Sequence, residues 1–145
     1  MDASRRDACV LETGLIPERV MVCMSSSASA PTVIHAGAEM AVRMAARFYA
    51  VYVETPQETR DRIKEADRLQ LERNITLAEG LGATVIRVRA ERPADGLIAF
   101  AEREGITHAI FGQSARTRME MMWKGSTLNR FLDEVKDATV AVVPL

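Results

Sequence analysis

A chain of 145 residues, 48% apolar and 27% charged, is long enough to bury one core and too short for several. Its formal net charge of −1 excludes a broad electrostatic grip on nucleic acid or on an anionic membrane, so any anion site has to be local. Two cysteines, Cys9 and Cys23, give neither a disulfide framework nor a metal-ligand spacing, and no apolar run approaches the ~18–20 residues of a membrane span.

Residues 1–17 show no sustained period and read as a tail or a loosely docked arm, with the folded domain expected over 18–145. The opening Met1-Asp-Ala-Ser-Arg-Arg-Asp lacks the apolar stretch of a secretory signal, which makes a reduced, cytoplasmic setting the expectation. Arg19 to Met24 is a short, nearly continuous apolar run of the kind found in strands buried on both faces. A serine cluster follows (Ser25, Ser26, Ser27, Ser29), then Ala30 and Pro31, which together predict a capped helix start. The helix carries Ile34, Ala38, Ala41 and Ala45 on one stripe, with Val33, Gly37, Met40 and Met44 beside it. Gly37 lowers helix propensity there by about 1 kcal/mol relative to alanine.

Phe48 to Val53 predicts a second strand, with Phe48, Ala50 and Tyr52 on one face and Tyr49, Val51 and Val53 on the other. After Pro56 a helical stretch runs to about Leu81: a mixed-charge first half that pairs with itself on a solvated face, then Leu71, Ile75, Ala78 and Leu81 on one stripe. Gly80 and Gly82 mark its end. Ala83–Arg89 predicts a third strand, and Pro93 opens a helix whose apolar side is Leu97, Ile98, Phe100 and Ala101. Ile106–Phe111 predicts a fourth strand, Gly125 to about Val135 a fourth helix, and Asp137–Leu145 a fifth strand. Such alternation of strand and helix implies right-handed βαβ units and an α/β fold, a doubly wound parallel sheet covered on both faces.

In such sheets the ligand crevice lies beyond the strand carboxyl ends, where the winding reverses. If the strand order is 3-2-1-4-5, the reversal falls between the first and fourth strands, and two hydroxyl-rich stretches would meet there, the serine cluster and the segment from Gly112 to Ser126. The second leaves a strand through Gly112, crosses Arg116, Arg118 and Lys124, and re-enters a helix through Gly125, Ser126 and Thr127. Glycines admit close backbone approach, hydroxyls donate to phosphate oxygens, and a helix N-terminus carries roughly half a positive charge. The bland alternatives are helix capping for the serines, a solvated loop for the cations, and core packing for Phe48, Tyr52 and the Met119–Trp123 run. His35 and His108 have no carboxylate or cysteine at ligand spacing, and His108 reads as a hydrogen-bonded strand residue rather than a base.

The spacing Gly112-x-x-Ala115, nine residues, then Gly125-Ser126 resembles the Gly-x2-Gly-x9-Gly-Ser/Thr nucleotide-binding motif of the universal stress protein family, with Ala115 in place of the second glycine. The resemblance covers about residues 18–145 and implies a sheet of order 3-2-1-4-5. Within that family the chain looks like the universal-stress-protein domain of the potassium-responsive sensor kinase KdpD, through Arg19–Ser27, Tyr49–Pro56 and Thr107–Arg118. Some domains of that type bind cyclic di-AMP through Ser-x-Ser, twenty residues, Phe-Thr-Ala-x-Tyr. Here Ser25-x-Ser27 precedes twenty residues and Phe48-Tyr49-Ala50-Val51-Tyr52, with Tyr49 in place of the threonine. ATP-binding members usually carry an aspartate after the first strand, where this chain has Ser25.

The resemblance therefore implies a non-catalytic module for an adenine nucleotide, cyclic di-AMP ahead of ATP, with Mg accompanying ATP and no other metal. The residues it implicates are Ser25, Ser27, Phe48, Ala50, Tyr52, Gly112, Ser114, Ala115, Arg116, Arg118, Gly125 and Ser126. It also implies a homodimer through the last strand and a sensor kinase or transporter as partner, without nucleic acid or direct membrane contact. The kinase core and transmembrane helices of the longer protein are not in this sequence, so an excised domain and a free-standing relative both remain open. A dimeric scaffold that binds no nucleotide is the alternative, since an apolar edge strand invites pairing. An adenylate-forming, pyrophosphate-releasing enzyme is the third reading. Its Ser-Gly-Gly-x-Asp-Ser loop is here Ser25-Ser-Ser-Ala-Ser-Ala, and no nucleophile with a base stands elsewhere.

Overall fold

A computed structural model describes residues 17–56, 63–113 and 127–145. Five strands, β1 (Arg19–Cys23), β2 (Arg47–Glu54), β3 (Thr84–Arg89), β4 (His108–Gln113) and β5 (Thr139–Pro144), form one parallel sheet of order β3-β2-β1-β4-β5. The helices between them are α1 (Ala30–Met44), α2 (Glu65–Gly80), α3 (Pro93–Glu104) and α4 (Thr127–Glu134). From β1 the chain winds outward through β2 to β3, then crosses back to β4 and on to β5, so the reversal falls between β1 and β4.

The period of two along the strands divides the core. Val20, Val22, Met24, Phe48, Ala50, Tyr52 and Ile110 meet Val33, Ile34 and Ala41 of α1 and Leu71 and Ala78 of α2. On the opposite face Met21, Tyr49, Val51, Val53 and Phe111 meet α3 and α4 through Leu97, Phe100, Leu128 and Phe131. The predicted separation of Tyr49 from Phe48 and Tyr52 is observed. The Tyr49 ring stands edge-on to Phe100 at 5.5 Å. Arg130 ties α4 to the first turn of α3 through Asp95, 2.7 Å away, while also reaching Glu134 at 3.2 Å.

Three expectations need correcting. Ala45 does not extend the apolar stripe of α1; it is exposed, ends the helix at φ 51°, and hands its N–H to Ala41 and Val42 carbonyls. Leu81 lies past the end of α2 and is 37% exposed rather than buried. β4 does not end at Phe111, because Gly112 and Gln113 continue the ladder opposite Val143 and Pro144. The apolar run stops at Phe111, but the partner strand goes on offering backbone groups. The described part of α2 begins at Glu65, whereas the sequence predicted helix from Pro56; residues 57–62 lie outside the described residues. Its charged face is self-paired as expected, Arg68 bonding Glu65 and Glu72, and that hydrogen bond holds the Glu65 carboxyl below its ordinary value.

Candidate functional site

The carboxyl ends of β1, β2 and β4 define one level of the molecule. Cys23 pairs with Val51 and Val22 with Ile110, so continuing the register by one residue on β2 and two on β4 sets Met24 beside Tyr52 and Gly112 on the α1 face. The Met24 N–H donates to Val51 O at 2.9 Å and carries the ladder to the base of the serine loop. Phe48 is four residues, roughly 13 Å, below Tyr52. Phe48 and Ala50 are core residues beneath α1, not rim residues. Of the Ser-x-Ser…Phe-x-Ala-x-Tyr spacing, only the serines and Tyr52 therefore come to the carboxyl end. Tyr52 is itself buried.

Gly112 sits in β4 with its α carbon under two side chains. A Cβ there would lie 2.8 Å from Val33 Cγ2 and 2.8 Å from Leu145 Cδ1. Its lack of a side chain thus serves the packing of α1 and the chain after β5 onto the strand end. Ser114, Ala115, Arg116, Arg118, Gly125 and Ser126 lie outside the described residues.

The serines build a turn rather than a helix cap. Ser29 occupies the N-cap of α1 with helical φ and ψ and makes no side-chain cap bond. Pro31 brings no N–H to that turn, and the Thr32 N–H already donates to Ser29 O at 3.2 Å. Instead the Ser27 N–H donates to Ser25 Oγ at 3.2 Å, the Ser29 N–H donates to Ser27 Oγ at 3.1 Å, and the Ser27 and Ser29 hydroxyls are 2.7 Å apart. Ser25 and Ser27 are exposed.

What holds this loop from behind is Asn74, a residue the sequence reading passed over. It is 0% exposed, and its Nδ2 donates to Ser25 O at 2.8 Å and to Ser27 O at 3.0 Å. Gln70 Nε2 donates to Asn74 Oδ1 at 2.9 Å and so fixes which end of the amide faces the loop. The signal was present: Leu71, Asn74 and Ala78 share the buried stripe of α2, and a polar residue on such a stripe requires partners.

Other titratable groups stand apart. His108 begins β4 at the opposite end of the sheet, its Nδ1 3.1 Å from Thr107 Oγ1 and 3.3 Å from Glu18 Oε2, which fits the predicted hydrogen-bonded strand residue. His35 is exposed on α1. Cys23 ends β1, and burial pushes its thiol well above the usual range, away from nucleophilic chemistry. Among the described residues no group of three or more His, Cys, Asp and Glu could hold a metal ion, and no helix is long and apolar enough to cross a membrane.

A doubly wound parallel sheet with a hydroxyl-rich turn at its switch point defines the broad class of Rossmann-like nucleotide-fold domains. The chain belongs to the Universal stress protein family, whose family model matches residues 17–144. It is similar to the sensor protein KdpD of Clostridium acetobutylicum, 24% identical over 129 residues, a match that covers 88% of this chain and 14% of that protein. The chain thus spans about a seventh of that relative. Among solved structures it resembles a universal stress protein in complex with cAMP (17% identity, TM-score 0.61, covering 88% of this chain and 97% of that one). It also resembles the universal stress protein of Archaeoglobus fulgidus in complex with dAMP (18% identity, TM-score 0.58, covering 88% and 96%).

Proposed function

We propose that this chain is a non-catalytic regulatory domain that binds an adenine nucleotide, cyclic di-AMP or ATP, within potassium or osmotic stress signalling in the cytoplasm. The observation that carries the reading is the serine turn held over the switch point between β1 and β4. In this reading the turn and the α1 N-terminus receive phosphate, and Arg116 and Arg118 supply the countercharge. We propose Ser114, Ala115, Gly125 and Ser126 as further phosphate-contacting residues on the strength of the motif spacing. The cAMP and dAMP complexes of similar folds and the KdpD relative support the ligand class and the sensor-kinase context. ATP would bring its own Mg; the chain offers Ser25 where an acidic group would stand, which favours cyclic di-AMP.

A thermal-unfolding series of the purified protein with cyclic di-AMP, ATP, AMP or no ligand tests this. Ligand at about a hundred times its dissociation constant adds roughly 2.7 kcal/mol, a rise in Tm of about 5–10 °C for a domain of this size. A rise with cyclic di-AMP and not ATP selects the second messenger. Unchanged Tm with all three, in protein free of carried-over nucleotide, removes the nucleotide reading.

One observation favours a second property, with or without ligand. β5 is one edge of the sheet; Val142 on it is 39% exposed and Leu145 just after it 47% exposed. Pairing of β5 with its copy would make a dimer, as the scaffold alternative requires. Sedimentation equilibrium at about 100 μM is expected to give twice the chain mass, and Val142→Lys to return the chain to a monomer; a wild-type monomer at that concentration rejects the edge pairing.

A further inference from the structure

We infer that Asn74 is a positioning residue of the nucleotide site, a role that rests on the reading above: it turns the serine loop so that the N–H groups of Ser26 and Ala28 are presented to a phosphate group. The argument begins with the peptide unit. No peptide bond of the described chain is cis, so the carbonyl of residue 25 and the N–H of residue 26 point in opposite directions, as do the carbonyl of 27 and the N–H of 28. Asn74 draws the carbonyls of Ser25 and Ser27 toward α2 with its two amide hydrogens. The N–H groups of Ser26 and Ala28 therefore face away from α2. With α2 packed over β3 and against α1, that direction is the β4 side of the loop, where the winding reverses.

The neighbouring donors are already engaged. The N–H of Ser27 and that of Ser29 bond to serine hydroxyls, and that of Ala30 bonds to Ser27 O at 3.2 Å. Among the described residues the N–H groups of Ser26 and Ala28 have no hydrogen-bond partner. Two unengaged amide N–H groups facing away from α2 next to a helix N-terminus offer an anion two donors without a cationic side chain. The side chain that shapes the loop is fully buried and sits 47 and 49 residues away in sequence, so it adds a tertiary hold to the local serine bonds of the turn. Gln70 completes the arrangement, because without its donation to Oδ1 the amide could present an oxygen to the two carbonyls.

The test uses Asn74→Asp, with Asn74→Leu for comparison, and cyclic di-AMP and ATP as probes. The charge of cyclic di-AMP stays constant from pH 5 to 8. An ionised carboxylate at 74 repels both carbonyls, whereas its protonated form donates one hydrogen bond. Asn74→Asp is therefore expected to bind cyclic di-AMP at least about tenfold more weakly than wild type at pH 7.5 and to recover to within about threefold at pH 5, the wild type changing little. Asn74→Leu should stay weak at both pH values. Amide exchange gives a ligand-free readout: in Asn74→Leu the Ser27 and Ser29 amides should exchange about tenfold faster or more, those of Val22 and Ala50 at wild-type rates.

Unchanged exchange at Ser27 and Ser29 would overturn the positioning role outright. Faster exchange with unchanged affinity and no pH dependence would overturn its service to the ligand. If the wild type binds neither probe, the nucleotide reading is what fails, and the exchange rates alone decide whether Asn74 holds the loop.

Discussion

Phe131→Ala is expected to lower the unfolding free energy by about 4 kcal/mol and the melting temperature by roughly 10–15 °C. The ring is 0% exposed and stands edge-on to Phe111, with centroids 5.2 Å apart at an interplanar angle of 66°. The described part of α4 is eight residues long, and within it Leu128 and Phe131 alone are buried. One truncation therefore removes the larger of two apolar anchors and leaves a cavity against β4 that a sheet cannot collapse to fill. The Arg130 pairs with Asp95 and Glu134 reach solvent, which screens them, and they cannot replace the ring. Leu132→Ala, one position on and 45% exposed, is the control and should cost under about 0.5 kcal/mol. Urea titrations of the two variants decide it. A Phe131→Ala midpoint within error of wild type would mean that α4 is not fixed to the sheet through this contact. The consequence is expected to reach the proposed site, because Thr127 of α4 directly follows in sequence Gly125 and Ser126, the pair proposed above to meet phosphate.

The sheet was legible in the sequence because its strands are the simplest kind of signal. Val20–Cys23 and Phe48–Val53 are continuous apolar runs of the kind buried on both faces, and β1 and β3 are followed by helix-start chemistry at Pro31 and Pro93. Boundaries were less legible where a partner strand, not the segment itself, decides them. Gly112 and Gln113 look like the start of a loop, yet they are held by Val143 and Pro144. Leu81 fitted the stripe of α2 by spacing, but the helix had already stopped at Gly80.

The candidate site was legible as a place and less so as a set of groups. The strand order implied by the family resemblance put the serine cluster and Gly112 at one end of the molecule, and both are there. Phe48 and Ala50 had been grouped with them by a linear spacing that ignores depth; four residues of strand separate Phe48 from the level of Tyr52. Asn74 escaped notice for the opposite reason. Its partners are backbone carbonyls, which leave no mark in a sequence, and only the docking of α2 beside the serine loop reveals them. Side-chain chemistry can be read along a chain, while the main-chain groups that a buried amide serves depend on tertiary packing.

Gly37 provides the sharpest separation of those two kinds of information. On helix propensity alone, Gly37→Ala at the centre of α1 should stabilise the protein by about 1 kcal/mol. The packing demands the reverse. A Cβ on Gly37 would overlap Val22 Cγ1 and lie 2.9 Å from Phe48 Cε1. Val22 cannot withdraw, since it is β-branched, 0% exposed and paired on both sides within β1. The Phe48 ring is closed in by the same core. Relief has to come from lifting α1 off the sheet, which loosens Val33 and Ile34 as well. Overpacking of this kind costs about 1–3 kcal/mol, so Gly37→Ala is expected to be net destabilising by about 1–2 kcal/mol, and Gly37→Val, with two further methyls and a poorer helix former, by about 3 kcal/mol. Chemical denaturation of the pair reads the sign directly: a more stable Gly37→Ala would show that α1 rides higher than the contact with Val22 requires. Because α1 also carries the serine turn at its N-terminus, the same lift should weaken nucleotide binding in Gly37→Val even at temperatures where the variant is fully folded, linking a close approach deep in the core to the geometry at the sheet's carboxyl end.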